Sequence, residues 1–240
     1  VELGRIISED IIPELKRNHV TLLLDQPMPT AIAKEAETIF FQEVAGFLHV
    51  LELTRESHFF PENNKLYLVV DIRTAGGVLK HFIINIPSEV LARFYSISKG
   101  NSQYIIFLDD IIKRNLRWIF REAKHLSSHS FKITRDAELD LKDEFEGNLA
   151  KKIEHEISRR DFGLATRFLY DSAIPNETLE FLTQRFGLEK ATLVRGGVYH
   201  NLKDLSSLPI KNKSFYYEPW PRMKYKLLDG MNLFEYLRKK

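Results

Sequence analysis

Apolar and polar positions alternate along this chain in short β-type runs separated by stretches of helical spacing. Leu66, Leu68, Val70 and Ile72 alternate with Tyr67, Val69, Asp71 and Arg73, a period of two that predicts a strand with one buried face. Phe82, Ile84 and Ile86 repeat the pattern before Pro87, and Ala75-Gly76-Gly77 lies between, so the two runs read as an antiparallel hairpin. Further strands are expected at 104–108, 131–135, 165–170 and 191–195, with a short apolar, partly β-branched run at 19–24 and a Ser/His-rich loop from Ser127 to Ser130.

Helical spacing appears between these runs. Residues 6–18 predict a helix with Ser8 as its cap and Pro13 as a kink or restart. Ile32, Ala36, Ile39, Phe40, Val44, Phe47 and Leu48 share one face behind Thr30 as N-cap. Ile112, Leu116, Ile119, Phe120 and Ala123 do so behind Asp109 or Asp110. A helix over about 141–160 starts acidic and ends basic, the polarity a helix dipole favours. Pro175 opens a helix bearing Leu179, Leu182 and Phe186, and Gly187 closes it. Asn201 is expected to cap a short helix that ends before Pro209, and 211–225 reads as a basic, aromatic connector. This irregular alternation, with at least one hairpin, implies an α+β fold: a mixed β-sheet with helices packed on it, in a single main domain.

Composition narrows the function classes. At 240 residues, 44% hydrophobic and 28% charged, the chain can bury a sizeable core. Its 35 basic and 33 acidic residues leave a net charge of +2, so an anion site must come from local clustering. The lack of cysteine excludes disulfides and thiolate metal sites and fits a reducing cytosol. No apolar run approaches the roughly 20 residues a membrane span needs. The start at Val1 and the helical pattern that stops at Lys240 read as a piece of a longer chain.

Most familiar chemistry is missing. No phosphate loop, dinucleotide fingerprint, H-E-x-x-H or G-x-S-x-G occurs, and Gly76-Gly77 and Gly196-Gly197 read as turns. His125 and His129 have a spacing that suits a metal on a helix, but serines surround them and no acidic third ligand is near. Two polar stretches remain. In KITRDAELDL at 132–141, Arg135 and Asp136 at a strand end can bind an anion or a metal. The plainer and favoured reading is that Asp136 and Asp140 satisfy loop or helix-start amides while Arg135 pairs with a carboxylate. In VRGGVYHNLKD at 194–204, Arg195, His200 and Lys203 gather around a tight turn and a helix start, where free amides attract anions. A plain capped turn also explains that stretch.

The same stretches carry a likeness. ITRDAELDL at 133–141 and GGVYHNLKDLSSLP at 196–209 resemble the Thr-Arg-Asp-Ala-Glu and Gly-Gly-x-Tyr-His-Asn-x-Lys-Asp segments of polyphosphate kinases of the phospholipase-D-like type. IIFLDDIIKRNLRWIF at 105–120, YDSAIPNETLEFL at 170–182 and IINIPSEVLARF at 83–94 are similar to further segments of that family, in the same order. The resemblance implies the end of a helical N-terminal domain at 1–18, the head (middle) domain at 19–222, and a linker into the first catalytic domain at 223–240. It implies a full-length enzyme that reversibly moves the terminal phosphate of ATP onto polyphosphate through a phosphohistidine, with magnesium. It also implies a homodimer or higher homo-oligomer, with the head domain associated with dimerisation and packed beside its own N-terminal and catalytic domains. The setting is expected to be cytoplasmic, without specific nucleic acid or a membrane span.

The family's nucleophiles sit in His-x-Lys, where the lysine neutralises incoming phosphate. No histidine here has lysine two residues on; His200 has Lys203 at three. No catalytic residue, metal or cofactor is therefore expected in this stretch. Arg135, Arg195, His200 and Lys203 are the candidates for anion or interdomain contact. A module guiding polyphosphate or nucleic acid is the alternative to a dimerisation scaffold.

Overall fold

The computed structural model describes residues 2–54, 56–74, 76–135, 165–221 and 232–238. The expected helix at 141–160, together with Asp136 and Asp140, lies outside them. Two compact units divide the chain, Val1–Pro209 and Ile210–Lys240.

Nine strands are described: β1 (Val20–Leu23), β2 (Val50–Glu52), β3 (Leu66–Arg73), β4 (Leu79–Ile86), β5 (Phe94–Lys99), β6 (Ser102–Phe107), β7 (His125–Arg135), β8 (Ala165–Asp171) and β9 (Thr192–Gly196). They form a sheet ordered β2-β4-β3-β7-β8-β9 and a smaller one ordered β1-β6-β5. β1–β6 and β8–β9 pair in parallel and the rest antiparallel, so both sheets are mixed. The α+β expectation holds, with two sheets where one was expected.

β3 departs from its predicted single buried face. Leu66, Leu68, Val70 and Ile72 pack into one core with Ile84, Ile106, Ile111 and Leu116. Tyr67 and Val69 pack into a second core with Ile83, Phe131, Phe168, Leu182 and Phe186. The strand is central and covered on both faces, which is why apolar residues also occupy its second phase. Asp71 is tolerated in the second core because it is fully partnered. Thr178 donates to Oδ2 at 2.5 Å and His81 Nδ1 lies 2.8 Å from Oδ1.

The helices are α1 (Glu2–Arg5), α2 (Ile12–Arg17), α3 (Thr30–Ile39), α4 (Leu108–Ile119), α5 (Asn176–Phe186) and α6 (Leu233–Arg238). Between α1 and α2 a π-helical stretch, Ile6–Ile11, precedes Pro13. Proline has no N–H for the carbonyl four residues back, and α2 restarts there with Pro13 in its first turn, one of the two expected outcomes. α3 likewise runs on through a π-helical stretch, Phe40–Val44.

The expected caps are corrected throughout. Ser8 hydrogen-bonds the Arg5 carbonyl inside the helix. Pro29 precedes α3 and Phe107 precedes α4, neither with a side-chain cap. Asp109 and Asp110 fall inside the first turn of α4, where their charge still complements the dipole. α5 behaves as expected: it follows Pro175 and ends at Gly187, whose φ of 62° is the left-handed value that closes helices.

Two further corrections concern strands. The Ser127–Ser130 loop is part of β7, which pairs with β3 from His125 to Lys132. β5 was not expected; it forms a hairpin with β6. Among the described residues no helix is long and apolar enough to cross a membrane.

Candidate functional site

The segment 198–204 packs against both sheets through Tyr199, His200, Asn201 and Asp204. Ser130 of β7 donates to the Val198 carbonyl. The Tyr199 hydroxyl donates to Asp110 Oδ2 at 2.6 Å and accepts from the backbone N–H of Asp25, while its ring stacks on Phe107 at 4.0 Å. Asn201, left-handed at φ 64°, accepts from Lys132 Nζ at 2.8 Å. That geometry replaces the cap expected of Asn201, since the 3₁₀ turn Leu202–Ser207 has no side-chain cap. Gly196 lets the segment approach β8: a Cβ there would meet Leu169 Cδ1 at 2.9 Å and the Tyr170 carbonyl at 3.4 Å.

Beside this segment lies a buried ion network. Arg93 is 7% exposed and holds Asp109 with both terminal nitrogens, NH2–Oδ1 at 3.0 Å, while its Nε donates to Asp204 Oδ2 at 3.1 Å. Burying Arg93 and Asp109 is costly unless each is hydrogen-bonded, and here each is, with the partly exposed Asp204 completing the network. Arg93 comes from the 83–94 stretch, Asp109 from 105–120 and Asp204 from 196–209. Segments far apart in sequence are joined at one point.

Burial sets the protonation of this region. Burial raises the Asp110 carboxyl to about 7, against the pull of the Tyr199 hydrogen bond. Burial and the Asp110 charge also raise the Tyr199 phenol, which stays protonated as a donor. His200 is 4% exposed, and burial lowers its pKa despite its hydrogen bond with the Ser130 backbone. A neutral, enclosed imidazole is not a phosphate-binding cation.

The four residues singled out in the sequence do not converge. Arg135 is buried, donates from Nε to the Pro61 carbonyl at 3.1 Å, and lies over the Phe60 ring at 3.7 Å. Arg195 is exposed on β9 and pairs in register with Tyr170, on the face opposite Lys132. His200 is enclosed. Lys203 is exposed and borders a cleft of about 960 Å³ at the end of β3, β4 and β7. Lys65, Arg93, Lys132, Asn201, Glu62 and Glu89 also line it. Lys132 and Arg93 stand inside the quoted segments, but no local sequence pattern sets them apart from ordinary surface cations.

His125 and His129 occupy a strand, not a helix or loop, so their Cα atoms are about 13 Å apart and cannot share an ion. Among the described residues no three histidine or carboxylate side chains are grouped for a metal.

Comparison with known proteins places this architecture. The family model for the polyphosphate kinase middle domain matches residues 32–208. The polyphosphate kinase of Vibrio cholerae is 30% identical over 97% of this chain and 34% of its own length. That of Escherichia coli K12 is 25% identical over 91% of this chain and 33% of its own. A crystal structure of polyphosphate kinase from Porphyromonas gingivalis aligns with a TM-score of 0.73 at 25% identity, over 94% of this chain and 33% of that one. The chain thus spans about a third of the length of these relatives. With that family match across most of the first compact unit, the chain belongs to the polyphosphate kinase family and carries its middle domain.

Proposed function

We propose that this chain is a non-catalytic dimerisation and scaffold module of a polyphosphate kinase. The whole enzyme then moves the terminal phosphate of ATP reversibly onto polyphosphate, through a phosphohistidine and with magnesium, in a cytoplasmic setting. The observation that carries this reading is that no histidine in the chain is followed by lysine at the second position. A histidine that accepts phosphoryl groups needs an exposed nitrogen and nearby positive charge. His81 and His129 are instead paired with Asp71 and Asp171, and His200 is enclosed.

Exposed apolar side chains support the scaffold part. Phe41 and Trp118 are 52% and 49% exposed and meet edge to face at 5.6 Å. Val50 and Leu51 are exposed on β2, an edge strand. Aromatic anchors and open strand edges are what protein partners cover. Light scattering of the purified chain across a concentration series tests the reading. Self-association into a dimer is expected, and a strict monomer at the highest concentration counts against the dimerisation role.

A further inference from the structure

We propose that the groove between α3 and α4, centred on Trp118, is a docking site for an acidic amphipathic segment of a partner protein. The proposal rests on the scaffold half of the reading above, in which protein covers the exposed apolar side chains, and not on self-association.

Helical spacing sets out two facing rows. Lys34, Glu37 and Phe41 lie along α3 and its π-helical continuation, and Arg114, Trp118 and Arg121 lie along α4 and the residues just after it. Trp118 joins the rows: its indole Nε1 donates to Glu37 Oε1 at 3.0 Å, and its ring meets Phe41 edge to face. An open depression of about 390 Å³, with Ala33 and Trp118 as its apolar lining, lies between the helices. A second, of about 350 Å³, adjoins Trp118 beside Arg117 and Arg121.

Charge selects the occupant. Lys34, Arg114, Arg117 and Arg121 line the two depressions, and Glu37 is the one acid among the described residues that do so. Among the described residues no carboxylate forms an ion pair with any of these four cations. Glu37 is taken by Trp118, and Glu35 pairs with Lys99. Exposed rings bordered by unneutralised cations complement large apolar side chains flanked by carboxylates.

Other polymers fit less well. The Glu37 carboxylate stands in the wall and repels a phosphate backbone, and Arg121 already lies over the indole, 5.9 Å from its centroid, where a base would stack. A concave floor also receives an inserted side chain better than a flat lipid surface.

The test is an anisotropy titration of the 240-residue chain into a fluorescein-labelled peptide of about 12 residues, three helical turns. The peptide carries Leu at i, i+4 and i+7 and Asp or Glu between them. Binding is expected, weakening as salt rises, and a peptide with Lys in place of every acid should not bind. Trp118→Ala should weaken binding about tenfold or more, and Arg114→Glu with Arg121→Glu about tenfold; all three positions are exposed. Lys190→Glu, between α5 and β9, should change nothing. Light scattering should show the same self-association for every variant. No binding of the acidic peptide at low salt overturns the proposal, as does equal binding of the basic one or unaltered binding by both groove variants. Tighter binding of a uridine dodecamer, or of phosphatidylserine vesicles, assigns the groove to nucleic acid or membrane and overturns it too. Loss of self-association in Trp118→Ala gives the groove to a second copy and overturns it likewise. A monomer that still binds the peptide overturns only the dimerisation role.

Discussion

Tyr199 and Asp110 show how a partly buried polar pair couples stability to pH. The Asp110 carboxyl is raised from 3.8 to about 7, so the unfolded chain releases this proton first as pH rises. Its contribution to stability is fully present below 3.8 and is lost once pH has risen past about 7. His200 has the opposite sign: its pKa is lowered from 6.5, so its contribution is present above 6.5 and is lost as pH falls through the folded value. Asp110→Asn removes the first effect and keeps an acceptor for Tyr199. It should be about 1–2 kcal/mol more stable than the parent at pH 8, since the carboxyl is only partly shielded, and nearly neutral at pH 4. Urea unfolding at the two pH values checks this. Tyr199→Phe leaves the Asp25 amide and Asp110 without their partner and should cost about 1–3 kcal/mol in the same assay.

At the scale of elements, the Arg93 network decides whether the β5 start, the first turn of α4 and the 3₁₀ turn at 202–207 stay together. Arg93→Met strands Asp109 in a buried site and should cost about 3–5 kcal/mol, whereas Arg93→Met with Asp109→Leu should recover much of that loss. Denaturant midpoints of the two variants decide it. Gly187→Ala forces a side chain into left-handed backbone at the end of α5 and should cost about 1 kcal/mol by the same measurement.

These elements also show what the sequence could convey. The β3–β4 hairpin and α5 were legible because period, turn glycines and a closing glycine agree locally. The Ser/His run in β7 read as a loop because its polar side chains have distant partners. His129 faces Asp171, and Ser130 reaches Val198. Caps failed for a similar reason: Asp109 and Asn201 are drawn to Arg93 and Lys132, which local pattern cannot reveal. Of the candidate site, Lys203 was legible as an exposed cation beside a turn. Lys132 was not, because its neighbours are set by strand register and by the return of 198–204.

For the whole molecule, charge balance and family membership point the same way. A net charge of +2 gives no broad attraction for polyanions, so an anion site on this chain has to come from local clustering of cations. The large cleft and the buried ion network use the segments through which the chain resembles polyphosphate kinases. Neither brings a histidine with adjacent lysine to the surface.

The most direct test of this account is incubation of the purified chain with γ-labelled radioactive ATP and magnesium, followed by denaturing electrophoresis under alkaline conditions that preserve phosphohistidine. No label on the chain and no polyphosphate product are predicted. Stable, alkali-resistant and acid-labile label on the polypeptide would contradict the claim that this domain supports the chemistry without performing it.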